Sequence, residues 1–133
     1  MIDKKITVMI IEDEELLLQA ISKKLNLSGM ETVSCAQGKQ AIDYLNSMEE
    51  ALPSAIWLDY YLKDMNGLEF VGEIKKNDKF KDIPIVVVSN SADPEKVHNI
   101  LGLGANEYLL KAKYSLDEII EVIKKFINKE ELK

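Results

Sequence analysis

Three carboxylates, a hydroxyl and a lysine stand far apart in this chain, yet each closes or follows a short stretch that reads as a strand. Glu12 and Asp13 follow Ile6 to Ile11, Asp59 follows Ala55 to Leu58, Ser89 follows Ile83 to Val88, and Lys111 follows Glu107 to Leu110. Taken singly, each has a plain structural role: the acids start helices or loops, the hydroxyl ends a strand and the lysine is solvated. Brought to one place they make a site. Three carboxylates within a few ångströms repel one another, and one takes up a proton unless a cation sits among them. Oxygen ligands with room for water suit Mg²⁺, which shares its shell with waters and phosphate oxygens. The lysine and the hydroxyl complete an anion site opposite the metal, so the pocket suits a group with several negative oxygens. Phosphoryl transfer asks a protein mainly for alignment and charge neutralisation, and a carboxylate can serve as the nucleophile. Asp59 is best placed for that part, because Glu12 and Asp13 sit on the metal side.

Such a convergence requires a scaffold that ends several strands at one edge. The runs before Asp59 and Ser89 lack polar alternation, which is how strands buried on both faces of a parallel sheet read. Between the runs lie helical stretches. Leu17, Ile21 and Leu25 form one stripe, which stops at Gly29. Met30 to Cys35 is a weaker second strand, and Gly38 opens a helix with Ala41, Ile42, Leu45 and Met48 inward. Asn66 and Gly67 start a third helix bearing Leu68, Val71 and Ile74. Asp93 before Pro94 is a cap and first-turn signature for a fourth helix, ending near Gly102 and Gly104. Ser115 and Glu118 form a capping box for the last, whose buried side carries Ile119, Ile123, Phe126 and Ile127. The alternation predicts a doubly wound α/β fold, a five-stranded parallel sheet with helices on both faces. The flavodoxin-like order 2-1-3-4-5 needs only five strands and sets the first and third side by side at the topological switch point, where ligands bind.

Composition narrows the function. At 133 residues, 47% hydrophobic and 30% charged, the chain fits one ordinary globular domain over residues 1–133. A net charge of -6, from 23 acids against 17 bases, argues against direct nucleic-acid binding. Cys35 is the only cysteine, so no intrachain disulfide is possible; a buried filler is expected. The apolar stretch before Glu12 is too short for a secretory h-region and no apolar run reaches membrane length, so a cytoplasmic location is the default expectation. Trp57 shares the parity of Asp59 and reads as core, and His98 reads as a surface residue.

In these landmarks the sequence resembles the receiver domain of two-component response regulators, over essentially its whole length. The matching residues are Glu12 and Asp13, Asp59 with Gly67 eight positions on, Ser89, Tyr108 and Lys111. The resemblance implies Mg²⁺ bound by Asp13, Asp59, the backbone carbonyl of Tyr61, and Glu12 directly or through a water. It implies a phosphoryl group arriving on Asp59 from a histidine kinase or a histidine phosphotransfer protein, with Lys111 and Ser89 assisting. It also implies a switch in which Ser89 moves toward the phosphoryl group and Tyr108 turns inward, altering the helix 4, strand 5 and helix 5 face toward a downstream target protein. Such a domain is a phosphoacceptor, promoting only its own phosphorylation and dephosphorylation. With no room for an effector domain, the expected role is a stand-alone regulator or phosphorelay intermediate, or a domain excised from a longer protein.

The departures are specific. Lys63 stands four residues after Asp59 where the family often has proline, Ala112 replaces the proline usual after the lysine, and Asn90 replaces a very small residue after Ser89. A cis bond before a non-proline residue costs about 2.5 to 4 kcal/mol, so the Lys111 to Ala112 bond is expected to be trans. These departures keep open a second reading, a pseudo-receiver that binds proteins without being phosphorylated. A phosphatase is weaker, because Tyr61 stands where a general acid would follow Asp59, and no glycine-rich loop supports nucleotide binding.

Overall fold

The computed structural model describes residues 5–48 and 51–131, with side chains described through Ile127. Five strands, β1 (Thr7–Ile11), β2 (Glu31–Cys35), β3 (Ala55–Asp59), β4 (Ile85–Ser89) and β5 (Glu107–Leu110), alternate with five helices. These are α1 (Glu15–Leu27), α2 (Gly38–Ser47), α3 (Gly67–Lys76), α4 (Pro94–Leu103) and α5 (Leu116–Glu131). All strand pairs are parallel, in the expected order β2-β1-β3-β4-β5.

Strand parity divides the core into two layers. Met9, Ile11, Ile56, Leu58, Ile85 and Val87 face α2, α3 and α4, meeting Ala41, Leu45, Phe70, Val71, Ile74 and Ile100. Val8, Ile10, Trp57, Val86 and Val88 face α1 and α5, meeting Ile21, Leu25, Ile119, Ile123 and Ile127. Every residue of β3 and β4 is buried, which explains their unbroken apolar reading. Cys35 and Trp57 are buried and His98 is exposed, as expected.

Local signals set most boundaries. Gly29, at φ +88, takes the left-handed turn that ends α1. The Asp93 side chain accepts the Glu95 N–H at 3.0 Å. Ser115 and Glu118 form the reciprocal capping box, at 3.1 Å from the Glu118 N–H to the Ser115 hydroxyl and 2.9 Å from the Ser115 N–H to the Glu118 carboxylate. Ser115→Ala is expected to cost about 1 kcal/mol of stability, read as a lower urea midpoint at unchanged slope.

The fourth strand begins later than its apolar run. Pro84 cannot donate to a ladder, so regular pairing starts at Ile85, whose N–H goes to the Asn106 side chain at 2.9 Å. The Asn106 N–H returns to the Ile85 carbonyl at 2.8 Å. No cis peptide occurs among the described residues, Lys111 to Ala112 included.

Candidate functional site

The sheet register carries the separate residues to one edge. Ile11 pairs with Leu58, so Glu12 and Asp59 leave adjacent strands at the same level. Asp59 pairs with Val88 and Ser89 with Leu110, which brings Ser89 and Lys111 to that level on the other side. Backbone bonds hold the strand ends: the Glu12 N–H donates to the Cys35 carbonyl at 3.0 Å, and the Lys111 N–H to the Ser89 carbonyl at 2.7 Å.

Carboxylate oxygens of Glu12, Asp13 and Asp59 lie within 4.8 Å of one another. Glu12 and Asp59 are only 1% and 6% exposed, whereas Asp13 is half-buried. The Lys111 ammonium donates to Glu12 Oε1 at 2.9 Å and lies 3.7 Å from Asp59 Oδ2. One cation therefore meets two buried acids, with the half-buried Asp13 beside them. The Asp59 carboxyl responds by moving up to about 7, driven first by burial and then by the Glu12 carboxylate beside it, against the Lys111 charge and the Tyr61 N–H. The Lys111 ammonium is held above its ordinary range, because Glu12 and Asp59 outweigh the downward push of burial.

This donor set is all oxygen and carries surplus negative charge, which fits a hard divalent cation such as Mg²⁺. Glu12, Asp13 and Asp59 are the side chains able to hold it. Tyr61 lies on the loop leaving Asp59, and its N–H reaches Asp59 Oδ1 at 3.4 Å.

The remaining expected residues border the cluster. Ser89 is fully buried, its hydroxyl accepting the Ser91 N–H at 3.3 Å. Tyr108 is half-buried, and its hydroxyl donates to the Ser91 carbonyl. Its ring centroid lies 6.2 Å from that of Tyr60. Tyr61 is 43% exposed, its hydroxyl 3.2 Å from Ser91 Oγ.

Two partners had no signature in the sequence. The Lys96 ammonium donates to the Tyr61 hydroxyl at 2.8 Å, and together with Ser91 it lowers the Tyr61 phenol below its ordinary value. Asp64 accepts backbone N–H groups of α2, twenty-five residues or more away in sequence. The only hint of Asp64 was indirect: Gln37 and Gly38 form a poor helix start, so a cap had to come from elsewhere.

A parallel sheet in this order, with an acid cluster and a lysine at the carboxyl ends of β1, β3 and β5, defines a flavodoxin-like α/β protein with a pocket suited to a cation and an anion together. The response regulator receiver domain model matches residues 8–124, and the chain belongs to that family. Members bind Mg²⁺ in an acidic pocket and act in two-component signalling with kinases or phosphotransfer proteins and downstream targets.

Among relatives, the polar-differentiation response regulator DivK of Brucella anthropi is 31% identical over 91% of this chain and 95% of its own. The two-component response regulator ORR7 of rice is 31% identical over 78% of this chain, which spans only 49% of that protein. The crystal structure of the phosphorylated cyanobacterial phytochrome response regulator RcpA is similar at a TM-score of 0.78 and 26% identity, covering 92% of this chain and 91% of that one. A CheY-like receiver domain protein from Methanospirillum hungatei shares the fold at a TM-score of 0.86 and 21% identity, over 96% and 98% of the two chains.

Proposed function

We propose that this chain is a phosphoryl-accepting switch, in which Asp59 takes a phosphoryl group from the phosphohistidine of a histidine kinase or a histidine phosphotransfer protein. The observation that carries the reading is Lys111 set against both Glu12 and Asp59 in a largely buried acid cluster. Glu12, Asp13, Asp59 and the Tyr61 carbonyl are the groups assigned to Mg²⁺, which when bound neutralises the acids and the incoming phosphoryl oxygens.

An Asp59 carboxylate oxygen forms the new bond to phosphorus. The phosphorus–nitrogen bond of the donor breaks, and its electron pair leaves with the imidazole, which takes up a proton. Lys111 then holds a phosphoryl oxygen on the β5 side, and Ser89 supplies a hydroxyl from β4. Tyr108 is bonded to Ser91, so displacement of the Ser89 to Ser91 segment reaches Tyr108 directly. The α4, β5 and α5 surface is the output face offered to a downstream protein. On this reading residues 1–133 work as one cytoplasmic receiver domain with no direct role for nucleic acid or membrane. No helix among the described residues is long and apolar enough to cross a membrane.

Incubation with acetyl phosphate and Mg²⁺ tests the reading. The protein should gain the mass of one phosphoryl group, and a chelator should prevent it. No gain under conditions that preserve acyl phosphates, with amide spectra unmoved by Mg²⁺ and a phosphoryl mimic, would leave a phosphorylation-independent binding module instead.

Tyr61 also predicts the lifetime of the product. Its hydroxyl is held by Ser91 and Lys96, and on this reading the ring shields Asp59 from water. Tyr61→Gly is expected to shorten the phosphorylated lifetime several-fold after donor removal, and equal decay rates would remove the ring from the account.

A further inference from the structure

We propose that Asp64 is a positioning residue for the acid pocket. By capping α2 from the loop that follows β3, it fastens the loop that carries Tyr61 and so sets how tightly the pocket holds Mg²⁺. The inference rests on the assignment of the Tyr61 carbonyl to the metal.

Helix α2 begins without provision of its own. Gln37, at the N-cap, makes no side-chain cap, and the first turn contains no acid. Unpartnered N–H groups at a helix start need acceptors, and a carboxylate is the strongest available. Asp64 supplies both of its oxygens, Oδ1 to the Gly38 N–H at 3.0 Å and Oδ2 to the Lys39 N–H at 2.8 Å. Its neighbour Met65 closes the same junction. A Cβ at Gly38 would lie 2.6 Å from Met65 Cγ and Sδ, so any larger residue there would displace the Met65 side chain where the loop seats on the helix.

The geometry of the loop gives this cap a second consequence. Tyr61 pairs with Asn66 across the base, the Gly67 N–H bonds the Tyr60 carbonyl at 2.6 Å, and Asn66 caps α3 through the Glu69 N–H at 2.9 Å. Those ties run within the loop or to the helix that follows it. Toward the β4 side the loop is held by the Tyr61 side chain, on Ser91 and Lys96. Toward α2 it is held by Asp64 and Met65. No proline lies between Tyr61 and Asn66, so no ring fixes φ there, and restraint must come from these bonds. Releasing Asp64 frees the side of the loop opposite Tyr61, and a carbonyl ligand on an unanchored loop must be ordered again each time metal binds.

The test separates helix stability from loop position. Asp64→Ala removes the cap. Gln37→Asp combined with Asp64→Ala gives α2 a local cap and keeps the net charge of the wild type. Calorimetric titration with MgCl₂ should show affinity reduced about 3- to 10-fold in Asp64→Ala. In the double variant the thermal midpoint should recover while the Mg²⁺ affinity stays reduced. Without metal, amide exchange from Tyr61 to Asp64 should quicken in both variants. Unchanged exchange, unchanged affinity in Asp64→Ala, or affinity that recovers together with stability would overturn the proposal. A wild type that binds no Mg²⁺ would overturn the metal assignment itself, whereas the exchange measurement still decides whether Asp64 tethers the loop.

Discussion

Asp59→Asn is expected to gain no phosphoryl mass from acetyl phosphate and Mg²⁺, under conditions in which the wild type is modified within the same incubation. The substitution keeps the shape of the side chain and removes the one property the reaction needs. An amide oxygen bears no full negative charge, and its nitrogen is no nucleophile at neutral pH. Asp59 closes β3 on the same parity as Trp57, and each of its neighbours has another duty. Glu12 is bonded to Lys111 at 2.9 Å and Asp13 is assigned to the metal on the proposed reading, so neither is expected to be a substitute acceptor. Full uptake by the variant would move the acceptor elsewhere and end the assignment. Retention of the fold is read from an unchanged far-ultraviolet spectrum and the continued burial of Trp57.

Lys111→Ala should weaken the same reaction without abolishing it. Removing one positioned donor from a charge-stabilising site typically costs on the order of 10² to 10³ in rate. The acceptor remains in that variant, so the mass gain should still appear at long times, and the contrast between the two variants distinguishes the nucleophile from its electrostatic support.

The convergence of Glu12, Asp59 and Lys111 was legible for a physical reason. Parallel strands covered on both faces are written as unbroken apolar runs, so an acid, serine or lysine at the end of a run is visible against it. Glu12, Asp59, Ser89 and Lys111 were found in that way, and the cap motifs at Asp93 and Ser115 are equally local. Boundaries were less legible. The apolar run at Ile83 does not reveal that Pro84 delays pairing to Ile85, and period alone left out Phe70 and Ile120, which the helices bury fully. Least legible were contacts that join distant segments. Neither Asp64 on α2 nor Lys96 on Tyr61 belongs to any short-range pattern, because each contact depends on how the loop after β3 meets the first turns of α2 and α4.

In the metal-free protein, the contribution of Asp59 to stability should fall as pH rises. In the fold its carboxyl is pushed up to about 7, by burial first and by Glu12 second. In the unfolded chain an aspartate titrates near its ordinary value of about 3.9. The native state therefore keeps a proton that the unfolded chain has released, and stability decreases with pH wherever the native state binds more protons. The contribution is present in full below about pH 4 and is lost as pH rises to about 7, with a ceiling of about 4 kcal/mol for a shift of this size. Asp59→Asn cannot lose that proton. In the presence of a chelator the variant should be more stable than the wild type by a few kcal/mol at about pH 8, with the advantage shrinking toward about pH 4. Adding Mg²⁺ at about pH 8 should stabilise the wild type and leave the variant nearly unmoved, since only a state that binds the ion gains from it. Urea unfolding of both proteins across this range, with chelator and with Mg²⁺, measures all of these differences. A stability difference independent of pH would mean that Asp59 is already ionised without metal, and that Lys111 alone neutralises the cluster.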